Sequence, residues 1–288
     1  METTVLERPI GVSDQPAYPT IRESWAFVGW YLLVVFGVGV PLFLLGETVF
    51  SFSRSVTVVV ITIAANLSLL SILRWRAGTR WLPIRLQGQE SASLYAVMPV
   101  LILTAILVLS LLDLLHLPNW ADKTFQNLAN TPVLAFVMLC VAAPVLEELL
   151  FRGVLLPGLL RNYPQRPWVA IGQSALVFGI IHGNPAQLVG AGLLGLLLGW
   201  LYYRTSSLGI CIVVHALNNF VAFLGMVVGG KELVDKSIVD IFESWWVYAG
   251  VVALSALVLY WLLRRIWFMT EPVVTVSLPE EAGQAALL

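Results

Sequence analysis

Apolar residues fall in eight blocks along the chain, divided by short polar connectors. The blocks cover about 25–45, 55–73, 92–115, 132–151, 168–182, 186–203, 207–228 and 244–263. A membrane-crossing helix needs roughly 20 mostly apolar residues. Each block therefore predicts one span, and the chain reads as an all-α polytopic membrane protein of about eight transmembrane helices. The fifth block is short. Chain breakers set the expected ends. Pro41 and Gly46 close span one, Gly183-Asn184-Pro185 stops span five, and Pro157, Pro164 and Pro167 make residues 152–167 a connector. Residues 1–24 read as a flexible tail, 25–268 as the transmembrane domain and 269–288 as a second tail.

Composition agrees with this pattern. Hydrophobic residues make up 59% of the chain and charged residues 11%, with a mean hydropathy of +0.87. A soluble domain carries roughly 25% charged residues, so a soluble globular protein is excluded. A net charge of −1 gives no basic surface for nucleic acid. Cys140 and Cys211 both lie in apolar runs and read as small hydrophobes rather than a disulfide or metal framework. The first residues lack the basic start of a cleaved signal peptide, so the first apolar run is expected to stay as an anchor.

Basic residues alternate between connectors. Arg74, Arg76, Arg80 and Arg85 lie in one, Arg152, Arg161 and Arg166 in the next alternate one, then Arg204, then Arg264 and Arg265. The positive-inside rule places that end, and both termini, in the cytoplasm of a bacterial-type plasma membrane. Trp25, Trp75, Trp81, Trp120, Trp168, Trp245 and Trp267 stand near span ends, as an aromatic belt requires. Ala191, Gly195 and Gly199 recur every four residues in span six and predict close helix packing. No internal repeat is evident, which argues against a transporter built from repeats.

The chemistry sits where ionisable side chains interrupt the apolar runs. Such groups are costly at membrane depth and mark functional sites. Span four ends in Glu147-Glu148-Leu149-Leu150-Phe151-Arg152. Glu148 and Arg152 are spaced i, i+4 and share a helix face, so they predict a neutralising pair. Glu147 is rotated roughly 100° away and is left freer to act as a general base. His182 closes span five, after Phe178. His215 lies in span seven with Asn219 one turn later on the same face, while the adjacent Asn218 has a supporting place. His116 falls in a connector, and Asn66 and Asp113 read as packing or span-end residues. Counting 1.5 Å per residue puts Glu147 about 8 Å, and His215 about 12 Å, from the arginine-rich face. His182 comes out near 20 Å on the same count, which disagrees.

Glu147-Glu148-x-x-x-Arg152, Phe178-x-x-x-His182 and His215-x-x-x-Asn219 together resemble the three motifs of the CAAX-protease and bacteriocin-processing family of intramembrane proteases, which includes the type II CAAX prenyl endopeptidases. The resemblance covers about residues 130–225. It implies a site between helices four, five and seven, within the membrane and open to the cytoplasm. It implies that Glu147 and His182 activate a water, that His215 and Asn219 stabilise the oxyanion, and that Glu148, Arg152 and Phe178 support the site. The implied partners are the lipid bilayer and a membrane-associated peptide or protein substrate, prenylated CAAX sequences being one option. No cofactor is expected. A divalent metal such as zinc would take Glu147, His182 and His215, but no HExxH spacing preorganises them. The alternatives are a non-catalytic immunity or scaffolding protein of the same fold and a proton-coupled transporter.

Overall fold

A computed structural model describes residues 15–84, 86, 88, 91–120, 128, 130–228 and 241–272. Arg85 and the acidic and basic residues of loops 121–127 and 229–240 fall outside the described set. Among the described residues there are no strands. The chain forms α1 (Ile21–Thr48), α2 (Arg54–Arg80), α3 (Ala92–Leu115), α4 (Pro132–Asn162), α5 (Pro167–Ile181), α6 (Pro185–Thr205), α7 (Leu208–Val228) and α8 (Trp245–Met269). Seven of these are long and apolar enough to cross a membrane. The fifteen residues of α5 reach only about 22 Å. Many outward side chains are large and apolar, including Leu33, Phe36, Val133, Leu254 and Leu257. In water such a surface would aggregate; in lipid it is solvated. The protein is an all-α polytopic membrane protein.

Pro41 and Pro157, expected to end helices, do not, and Pro144 lies inside a helix as expected. Pro41, Pro144 and Pro157 each lie two residues after a wide π-helical turn, at Val35–Gly39, Val137–Ala142 and Leu149–Leu155. A proline has no N–H to donate, and its ring collides with the carbonyl four residues back. Widening the preceding turn moves that carbonyl aside and lets the helix continue. As a result α1 runs on to Thr48, past Pro41 and Gly46. Likewise α4 does not end near residue 151 but continues through Arg152 and Pro157 to Asn162.

That extension changes the count of residues along α4. Glu147 is fifteen residues from the end of α4 at Asn162, and His182 is fifteen residues from the start of α5 at Pro167. Both separations amount to about 22 Å. Glu147 and His182 thus stand equally far from those two helix ends, whereas His215 is only seven residues from the start of α7 at Leu208.

The N-terminal segment is also more ordered than a tail through residue 24. Thr20 and Glu23 form a reciprocal capping box that starts α1 at Ile21. Tyr18 is buried, and burial pushes its phenol up to about 12. Glu23 pairs with Arg80 at 2.7 Å, and Asn162 donates to the Ala17 carbonyl at 2.8 Å. These contacts, with that of Arg204 to the Trp267 carbonyl at 2.6 Å, gather the arginine-bearing ends of α1, α2, α4, α6 and α8 at one end of the bundle. Trp25, Trp75, Trp120, Trp168, Trp245 and Trp267 are exposed near helix ends. Trp81 instead packs on the core, under the Arg74 guanidinium. Cys140 and Cys211 are both free and buried.

One apolar core joins α1, α2, α4 and α5; a second joins α3, α6, α7 and α8. The two halves meet where α5 packs on α6 through glycines. A methyl group at Gly195 would sit 3.1 Å from Ala175 Cα, and one at Gly199 would sit 3.0 Å from the Ile171 side chain. At Gly179 it would meet the Leu188 carbonyl oxygen at 2.5 Å, backbone that cannot give way. We expect Gly179→Ala to force α5 and α6 apart and to lower stability by about 1–3 kcal/mol. Gly172→Ala on the same helix, where nothing lies within 4 Å, serves as the control. Thermal unfolding of the two variants in detergent checks this, and equal midpoints would refute it.

Candidate active site

The centre of the site is a buried ion cluster on α4. Glu148 and Arg152 are both fully buried, and Arg152 Nη1 donates to Glu148 Oε1 at 2.8 Å. The expected i, i+4 pair is present. Arg152 also donates Nη2 to the Gly195 carbonyl at 2.9 Å, and its guanidinium lies 5.0 Å from the Phe178 ring centroid. The close approach at Gly195 that brings α5 and α6 together thus also delivers a backbone acceptor to the arginine.

Glu148 was expected to serve Arg152 alone. It also accepts the Nδ1–H of His215 at 2.8 Å on the same oxygen. His215 is buried on α7, and its other nitrogen, Nε2, lies 3.9 Å from Glu147 Oε2. One imidazole therefore stands between the two adjacent carboxylates. The roughly 100° between successive helical positions makes this arrangement feasible. Glu148 turns into the bundle, while Glu147 stays partly accessible, with 19% of its side chain exposed.

His182 caps the C-terminus of α5, and Gly183 follows at φ 60°, the left-handed conformation that glycine adopts at a helix end. Its Nδ1 lies 2.7 Å from the Phe178 carbonyl. A carbonyl can only accept, so Nδ1 carries the proton and Nε2 of the neutral ring is left as an acceptor. The end of α5 is held from the opposite side of the bundle. Asn184 donates to Asn119 at 2.6 Å and accepts from the Trp120 N–H at 3.2 Å, while Ala186 N–H reaches the Pro118 carbonyl at 3.2 Å. From sequence, Asn184 reads only as part of a helix stop; its burial is a tertiary fact.

Phe178 organises the rings. It is fully buried and edge-on to His182 at 4.9 Å, His215 at 5.8 Å and Phe151 at 4.8 Å. The two site histidines thus flank one phenylalanine. Among the described residues neither a hydrogen bond nor an ion pair joins His182 to Glu147.

Asn219, one turn beyond His215, donates to the Leu139 carbonyl at 2.9 Å and accepts from Asn218 at 3.1 Å. Leu139 lies in the π turn before Pro144. One amide proton of Asn219 is committed there, and the second is available. Among the described residues Asn66 and His116 bond within their own segments, to the carbonyls of Thr62 and Leu114.

The donor set does not fit a metal. Among the described residues no group of three His, Cys, Asp or Glu side chains is placed to hold an ion. Glu148 Oε1 is already committed to Arg152 and His215. No step below is routed through a metal.

Residues 129–221, from the connector before α4 to the middle of α7, match the family model described as type II CAAX prenyl endopeptidase, Rce1-like. No curated protein and no solved structure matches the chain.

Proposed function

We propose, from the premise that residues 129–221 belong to the CAAX-protease family of membrane proteases, that this protein is an intramembrane endopeptidase with Glu147 as its general base. One observation carries the reading. His215 bridges an inaccessible carboxylate, Glu148, and an accessible one, Glu147, so adjacent identical residues have different work. Glu148, neutralised by Arg152, orients the imidazole. Glu147 faces the space where a water and a peptide bond would meet.

In this mechanism Glu147, with His182 Nε2 as the second acceptor, takes a proton from a water whose oxygen adds to the scissile carbonyl carbon. The carbonyl π pair moves to oxygen. His215, protonated at Nε2, and the second amide proton of Asn219 donate to that oxyanion; such preorganised donors contribute about 3–4 kcal/mol each. Collapse re-forms the carbonyl, breaks the C–N bond and returns the proton from Glu147 to the leaving amine. The arginine-rich end faces the cytoplasm on the positive-inside rule, and the substrate is a membrane-associated peptide or protein.

The test uses purified protein in liposomes, offered farnesylated CAAX peptides and their unprenylated counterparts, with cleaved bonds read by mass spectrometry. Cleavage confined to the prenylated set assigns the CAAX substrate class. No cleavage of either set overturns the enzyme reading. Treatment with o-phenanthroline is expected to leave the rate unchanged. Loss of activity that zinc restores would refute the metal-free mechanism.

A further inference from the structure

α1 packs mainly on α5 and α2 but runs antiparallel past α4, and this brings a residue near the site from outside the family-matched segment. The register is set by three contacts. At the arginine-rich end, Gly158 lies so close to the Tyr18 backbone that a side chain there would collide with the Tyr18 carbonyl. Next to it, Asn162 donates to the Ala17 and Pro19 carbonyls at 2.8 and 3.2 Å. Deeper in the bundle, Phe27 packs on Phe151 with centroids 5.2 Å apart. Moving up α1 therefore corresponds to moving back along α4. One turn beyond Phe27 is Tyr31, and one turn before Phe151 is Glu147. Ser24, Phe27 and Val34 are the buried residues of this part of α1, and Tyr31 lies among them, on the turn between Phe27 and Val34.

The Glu147 charge acts on the Tyr31 phenol, in agreement with the register. Tyr31 is half-buried, packs on the core shared with Phe151 and Phe178, and its hydroxyl has no hydrogen-bond partner among the described residues. That donor is left unused, one helical turn beyond the Phe27–Phe151 contact.

We infer that Tyr31 is a further catalytic residue, whose phenolic O–H donates a hydrogen bond to the oxyanion formed when water activated by Glu147 adds to the scissile carbonyl. The inference rests on the reading of Glu147 as the base. Tyr31 keeps its proton throughout; the proton from water goes to Glu147 and then to the leaving amine. The donor comes from α1, whereas His215 and Asn219 come from α7.

The test compares Tyr31→Phe, Glu147→Gln and Phe27→Leu in liposomes, on the peptide that the parent cleaves fastest, with unfolding midpoints measured beside the kinetics. Tyr31→Phe keeps the ring and removes only the hydroxyl. We expect its kcat to fall on the order of 100-fold, with KM and midpoint little changed. Phe27→Leu, at the same helix contact, is expected to lower the midpoint and leave kcat near the parent's. If Glu147→Gln is inactive while Tyr31→Phe keeps the parental kcat, the Tyr31 inference alone is overturned. If Phe27→Leu loses as much kcat as Tyr31→Phe, packing explains both and the inference fails. If Glu147→Gln cleaves like the parent, or the parent cleaves nothing, the base reading falls and this one with it.

Discussion

Glu147→Gln is expected to abolish peptide cleavage in a protein that remains folded. The substitution keeps the shape of the side chain and removes its ability to take a proton. Loss of a positioned general base lowers kcat by about 100- to 10,000-fold. Stability is expected to change little, because Glu147 is partly accessible and its nearest charged neighbour, His215 Nε2, is 3.9 Å away, beyond a hydrogen bond. The adjacent carboxylate gives the internal comparison. Glu148→Gln alters a fully buried group bonded to Arg152 and His215, so its defect should appear in stability as well as rate. Rates and unfolding midpoints of the two variants separate the roles. A Glu147→Gln protein with parental kcat would end the proposal that this residue is the base.

The second large effect is on the fold. Arg152→Ala should lower stability by about 3–5 kcal/mol, the usual loss when one partner of a buried pair is removed. Three things fail together. Glu148 loses the guanidinium that neutralises it, the Gly195 carbonyl loses its donor, and the Phe178 ring loses the guanidinium above it. Arg152→Lys should recover only part, since an ammonium is a compact charge and cannot span both acceptors as a planar guanidinium does. An unfolding midpoint lower by on the order of 10 °C for the alanine variant is the expected reading. A midpoint equal to the parent's would show that the cluster does not hold α4 to α6.

The resilience of α4 was not visible in its sequence. Pro157 is a helix breaker by local rules, and residues 152–167 therefore read as a connector. The continued helix depends on π turns that relieve each proline, and local propensity does not encode them.

Which residues interact followed a similar division. The spacing of Glu148 and Arg152 was enough to pair them, because two residues four apart on a helix are neighbours whatever surrounds them. The sharing of Glu148 with His215 was not accessible in this way, since 67 positions separate the two. The same holds for the Gly195 carbonyl under Arg152, the Leu139 carbonyl under Asn219 and the latch at Asn184. Backbone acceptors carry no residue signature. Tyr31 is a sharper case. It lies in an ordinary apolar span, and only the register of α1 against α4 gives it a place beside Glu147.

The sequence by itself determined the class of the protein and the inventory of its chemistry. Eight apolar blocks with so little charge can be stable only as helices in lipid, where every backbone group must be satisfied within its own segment. Ionisable residues in those blocks stand out because burial makes them costly. The tertiary structure decided which of two adjacent glutamates is buried and which is accessible, how the histidines are oriented around Phe178, and that Phe27 of α1 packs on Phe151 of α4. These depend on helix rotation and register, which arise from contacts between distant segments: glycine faces that let α5 and α6 meet, and an N-terminal segment seated against Gly158.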